Sequence, residues 1–218
     1  MFLPLTRNIP LRDSTAWGQF ASVQTIPRIY GRAVIAPVPY DNTGRLFVVA
    51  DHPVKEVVSV TADGQAVTAY RLYHQPDSTG KTVAFLELQT PVTIGTTALA
   101  ATVDGMMHPA TGQLMTNPAD VADDLLTWAI GSLQPSPFTF HIFASECQRT
   151  GVEINGAVTD SSATIRATLD SIMDSAGAVW STSLSDFGLL LTPMIQPEAI
   201  DAEDGIDINT ETGDVING

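Results

Sequence analysis

At 218 residues and 44% hydrophobic content, the chain has material for one large or two small cores, which excludes a wholly disordered protein. A net charge of -14 with only ten Lys and Arg argues against binding nucleic acid or an anionic membrane surface. The single cysteine, Cys147, excludes an internal disulfide framework and a cysteine-based zinc site, and no apolar run approaches the ~20 residues of a spanning helix.

The start, "MFLPLTRNIPLRD", lacks a basic stretch leading into an apolar one, so no signal peptide is expected and a reducing cytoplasm is the expected site of synthesis. Charge is unevenly spread. Residues 1–50 carry five arginines (7, 12, 28, 32 and 45) against Asp13 and Asp41, a balance of +3, while residues 196–218 carry seven acids and no base. Opposite-signed ends suit contact between copies of the chain or with neighbours; a solvated acidic tail beside scattered arginines gives the same count.

In chain order, residues 1–28 contain Pro4, Pro10 and Pro27 and follow no helical or strand period. They read as an extended arm that packs on something else, with Trp17 and Phe20 as anchors. From 29 to 106 the pattern is β. "IYGRAVIAPV" and "RLFVVA" are short apolar runs bounded by turn residues. In "EVVSVTADGQAVTAYRLY", Val58 and Val60 alternate with Ser59 and Thr61, Asp63-Gly64 supplies a tight hairpin turn, and alternation resumes through Val67 and Tyr70. "TVAFLEL" and "TTALAATVDG" add two strands. Five or six such strands predict a small antiparallel sandwich or open barrel.

Residues 107–195 switch to an α+β pattern. Asn117 is a good N-cap, Pro118 suits the first helical position, and Asp120 favours the helix dipole. Val121, Leu125, Trp128 and Ala129 share one face of this three-turn helix. "SPFTFHIFASECQRTG" predicts a second helix with Phe138, Ile142, Phe143 and Cys147 apolar and Gly151 as its stop. A short strand at "VEING" precedes a third helix striped by Ile165, Leu169, Ile172, Met173 and Ala176 and ended by Gly177. "AVWSTSLSDFGLLLTPM" reads as a hairpin turning around Ser185 to Gly188. The expected class is α+β: an N-terminal antiparallel sandwich or open barrel, then a small three-helix α+β unit. Residues 196–218 are acidic, with Ile200, Ile206, Ile208, Val215 and Ile216 too sparse to fold alone, so they read as a tail or a docking arm.

No catalytic, cofactor or metal residues are assigned, and an enzyme is not expected. Cys147 and His141 sit six residues apart, which rotates them by about 240° around a helix, so they point apart. His52-Pro53 and His108-Pro109 are turn dipeptides. Among Asp120, Asp123 and Asp124, one serves the dipole and two face solvent. In "DINTETGD", Asp207, Asn209 and Glu211 fit calcium-loop positions, but Thr212 stands where glycine is required, Gly213 comes one place late, and Gly218 replaces the bidentate acid.

Four segments in order, "IPRIYGR", "VVADHPVKEVVSVTADGQAV", "HPATGQLMTNPADVADDLL" and "FHIFASECQRTGVEINGAV…IRATLDSIMDSAGAVW", resemble modules of the tail-tip and baseplate hub proteins of long-tailed bacteriophages, tip attachment proteins included. The resemblance runs over residues 26–192, although such hub proteins are usually much longer chains. It implies no catalytic residues. It implies a virion structural protein without a cofactor, forming a homo-oligomeric ring with neighbouring tail proteins and linking the tail tube to fibres or a central spike. The alternative is a carbohydrate- or host-surface-binding module, with Trp17, Tyr30, Tyr40, Tyr70 and Tyr73 as stacking faces.

Overall fold

The computed structural model of the protein describes residues 3–12, 24–76, 80–131, 137–182 and 189–193. Among these residues the fold is α+β, with antiparallel sheets and three α-helices. Trp17, Phe20, the Ser185–Gly188 turn and the 196–218 tail lie outside the described residues.

The sandwich consists of two four-stranded sheets. One has strands β2 (Arg32–Ile35), β9 (Leu99–Asp104), β5 (Glu56–Ala62) and β6 (Gln65–Val67) in that order; the other has β3 (Val38–Pro39), β4 (Leu46–Ala50), β8 (Thr82–Leu88) and β7 (Tyr70–Pro76). Period-2 alternation decides which side chains enter the shared layer. Phe47 and Val49 of β4 and Ala84, Leu86 and Leu88 of β8 pack inward against Val57, Val60, Ala101 and Val103. The outward set of the second sheet is also buried: Val48, Val83 and Phe85 form a smaller cluster with Val38 and Ile26. Asp63 (φ 50) and Gly64 (φ 78) make the predicted turn between β5 and β6. The second arm of that hairpin is shorter than predicted. Alternation through Tyr70 looks continuous, but β6 stops at Val67 and β7 crosses to the other sheet, where it pairs with β8.

The helical core contains α1 (Pro118–Ile130), α2 (Pro137–Thr150), α3 (Ile165–Ser175), and the hairpin β11 (Ala178–Thr182) with β12 (Leu189–Pro193). Asn117 caps α1 by accepting the Ala119 N–H at 3.0 Å, and Gly131 closes it with φ 78. Thr164 caps α3 through the Ala167 N–H. Buried Val121, Leu125 and Leu126 meet Phe143 and Cys147 of α2 and Ile165, Leu169 and Met173 of α3. Trp128 and Ala129 are only partly buried, and Ile142, expected on the apolar face of α2, is 46% exposed. The strand expected at "VEING" forms slightly later, as β10 (Gly156–Val158).

One expectation needs correction. The described part of residues 1–28 is not an arm that packs elsewhere. Leu5 and Ile9 are buried in the helical core, Ile9 donates its N–H to the Ala163 carbonyl, and the Arg7 carbonyl accepts from Ile165. Strand β1 (Arg28–Tyr30) pairs antiparallel with β10, which places Tyr30 in the same core. The sandwich is therefore inserted between two parts of the helical unit. Its two connections run side by side at Gly31 and Gly105, where the Gly105 N–H donates to the Gly31 carbonyl at 2.8 Å. Gly31 needs φ +58, and a Cβ at Gly105 would collide with the Ile29 backbone. Proline punctuation without periodicity suggests an arm because the Ile165 and Ala163 partners of Arg7 and Ile9 lie more than 100 residues away.

Candidate functional site

The densest polar cluster lies at this joint. Strand alternation turns Arg28 and Tyr30 to the same side, toward α1, where Asp124 emerges. Arg28 Nη2 reaches both Asp124 carboxylate oxygens, at 2.7 and 3.0 Å, and Arg28 Nε donates to the Tyr30 hydroxyl. That hydroxyl donates to Asp124 Oδ2 at 2.6 Å. The guanidinium stacks over Trp128, 4.4 Å from the ring centroid. Burial alone would lower the Arg28 pKa, but Tyr30, Asp124 and Asp51 raise it, so the charge stays. Burial also raises the Tyr30 phenol, which remains neutral and able to donate.

The turn after β4 closes the cluster from the sandwich side. Asp51 Oδ1 lies 3.6 Å from Arg28 Nη1, is buried, and has no hydrogen-bond partner among the described residues. Burial pushes its pKa up against the pull of Arg28. His52 Nε2 accepts the Ile29 N–H at 3.0 Å and Nδ1 faces the Pro53 carbonyl at 2.8 Å, which fixes the neutral tautomer with the proton on Nδ1. Burial, helped by Arg28, pushes the His52 pKa down to about 4. His52-Pro53 is a turn dipeptide as expected, yet its ring also holds β1 in place.

The other singled-out residues are scattered. Cys147 is buried and its thiol is pushed up to about 11 by burial, whereas His141 is exposed, so the pair does point apart. His108 uses Nδ1 to accept the Ala110 and Thr111 N–H groups, with Nε2 3.8 Å from Asp120. The expectation that two of the three α1 acids face solvent fails at Asp124, which is the main partner of Arg28. Asp120 and Asp123 are half-buried and both carboxyls are raised by burial. No group of three or more His, Cys, Asp or Glu able to hold a metal occurs among the described residues, and no described helix is long and apolar enough to cross a membrane. The calcium-like residues Asp207, Asn209 and Glu211 lie outside the described residues.

The tyrosines offered as stacking faces do not converge. Tyr30 is buried at the joint, Tyr70 packs on the sandwich core with its hydroxyl on the Val57 carbonyl, and Tyr40 and Tyr73 flank Phe85. Sequence reasoning missed Arg28, Tyr30, Asp51 and Asp124 as a group. The signal was present: a basic residue two places before a tyrosine within a buried strand requires a nearby acid.

Joined this way, the chain is defined as a two-core α+β protein whose sandwich is inserted through a double crossing, with a buried ionic cluster as its most organised polar feature. No protein-family model, curated protein or solved structure matches it.

Proposed function

We propose that this chain is a structural protein of a bacteriophage tail tip or baseplate. It forms a symmetric ring of identical copies and connects the tail tube to fibres or a central spike. One observation carries the reading: three of the segments that resemble hub modules converge on the joint. "IPRIYGR" supplies Arg28, Tyr30 and Gly31, "VVADHPV…" supplies Asp51 and His52, and "…NPADVADDLL" supplies Asp124. A recurring module would keep together the residues that set the angle between its two bodies.

The test is mass spectrometry and immunogold labelling of purified particles from the encoding phage, with light scattering of the isolated protein. The chain is expected at the tail tip in fixed copy number and as a concentration-dependent oligomer. Deleting residues 196–218 is expected to weaken assembly without lowering the melting temperature. Absence from particles, together with a strictly monomeric mass, would overturn the reading.

A further inference from the structure

A cleft of about 380 Å³ separates β10 from α3. One edge of β10 is used by β1; no strand among the described residues pairs with the other, and Gly156, Ala157 and Val158 all stay half-exposed. The floor is apolar, with Tyr30, Val121, Ile154 and Ile172, and the opposite wall is kept low by Ala167 of α3 and by Ala163 just before it. An open strand edge facing a helix across an apolar slot suits an extended peptide: backbone groups would pair with the edge while alternate side chains drop into the slot. The only charged lining residue, Asp160, is already engaged by the Ser162 N–H and hydroxyl at 2.7 and 2.6 Å, which hold its carboxyl low.

We propose that this slot is a strand-addition site whose occupant is the segment Gly205–Asn209 of a second copy of the chain. The segment reads Gly-Ile-Asp-Ile-Asn, so Ile206 and Ile208 would point to one side and Asp207 to the other. Reach agrees: eleven residues separate Pro193, the end of β12, from Gly205, and they extend up to about 40 Å, enough to reach an adjacent subunit. Head-to-tail exchange of this kind closes a ring. The proposal rests on the ring reading above for its choice of a second copy.

The experiment mixes two full-length variants, each with one added cysteine, Ala167→Cys and Ile208→Cys, and oxidises them. Native Cys147 is buried with a raised pKa and serves as an internal blank. A disulfide between two different chains is expected, forming at least tenfold faster than with Asp174→Cys, an exposed α3 residue outside the slot. A peptide of residues 203–210 is expected to slow it. No preference for Ala167→Cys over Asp174→Cys would overturn the slot. In the double variant, a disulfide only within one chain would overturn the second copy as occupant. Particle proteomics and this cross-link fail separately: the first tests where the protein works, the second only how copies meet.

Discussion

Every buried side chain of the sandwich layer comes from one continuous stretch, Ile29 to Val103, whereas the helical core gathers Leu5 and Ile9, then Tyr30, then residues from Met115 onward. The first core is apolar and held by neighbouring strands. The second is assembled from three distant pieces, and where they meet the chain uses charge and hydrogen bonds: Arg28 to Asp124, His52 to Ile29, Gly105 to Gly31. Apolar contact is nondirectional, so it stabilises a joint without fixing its angle. A bidentate guanidinium and a backbone-bound imidazole are directional and do fix it.

The largest expected loss comes from breaking the charge cluster. Asp124→Ala leaves Arg28 buried without its main partner and the Tyr30 hydroxyl without an acceptor, and should cost about 3–5 kcal/mol in urea unfolding. The triple variant Arg28→Met, Asp51→Asn and Asp124→Leu should recover much of it, because no buried charge of the cluster then lacks its partner. A cost below about 1 kcal/mol for the single variant would mean that apolar contact alone holds the joint.

Acid should act on the same place. His52 has a folded pKa near 4, below its usual 6.5, so between those values the unfolded chain binds more protons. Its contribution is therefore complete above pH 6.5 and lost as pH falls toward 4, about 3 kcal/mol in all. Asp51 has the opposite sign: its raised carboxyl means the folded chain binds more protons just above the normal acid range, and stability falls there as pH rises. Urea midpoints from pH 7 to 4.5 should fall for the native chain, fall less for His52→Gln, and fall more steeply for Asp51→Asn. Parallel slopes in all three would show that neither group titrates at the joint.

Glycine substitutions separate the crossing from the periphery. Gly105→Ala drives a methyl into the Ile29 backbone and should cost about 1–3 kcal/mol or more. Gly64→Ala, at the open tip of the β5–β6 turn, meets no atom and should cost only about 1 kcal/mol, from its positive φ. Equal effects in thermal melts would deny the crossing its special constraint.

Legibility in the sequence follows the same division. The sandwich strands, the Asp63-Gly64 turn, the Asn117 cap and the α3 stripe were readable because each is a local pattern of period 2, period 3.6 or a cap. The insertion of the sandwich was not, since Ile9 bonds to Ala163 and β1 pairs with β10, both more than 100 residues away, and neither carries a local period that says so. Asp124 was misjudged for a related reason. Helical spacing places it beside Asp120 and Asp123, and only the approach of β1 distinguishes it from them. Neither Asp51 nor His52 announces its burial, because a polar pair before a proline reads as an exposed turn.

The smallest effects concern the two helix caps, and they test whether the distinction between local and directional contacts extends below the joint. Asn117 has two tasks: its Oδ1 accepts the Ala119 N–H, and its Nδ2 donates to the Ala144 carbonyl of α2 at 3.0 Å. Thr164 Oγ1 serves its own helix alone, through the Ala167 N–H at 3.1 Å. Asn117→Ala should therefore cost nearer 2 kcal/mol and Thr164→Ala about 0.5–1. Asn117→Asp keeps the cap acceptor but removes the donor to Ala144, so its cost measures the link between helices by itself. If Asn117→Asp were as stable as the native chain, the Ala144 bond would contribute nothing and the two caps would be equivalent. Hydrogen exchange should then show α1 and α2 opening independently; the geometry instead requires that losing this donor raise exchange in both helices while leaving α3 protected.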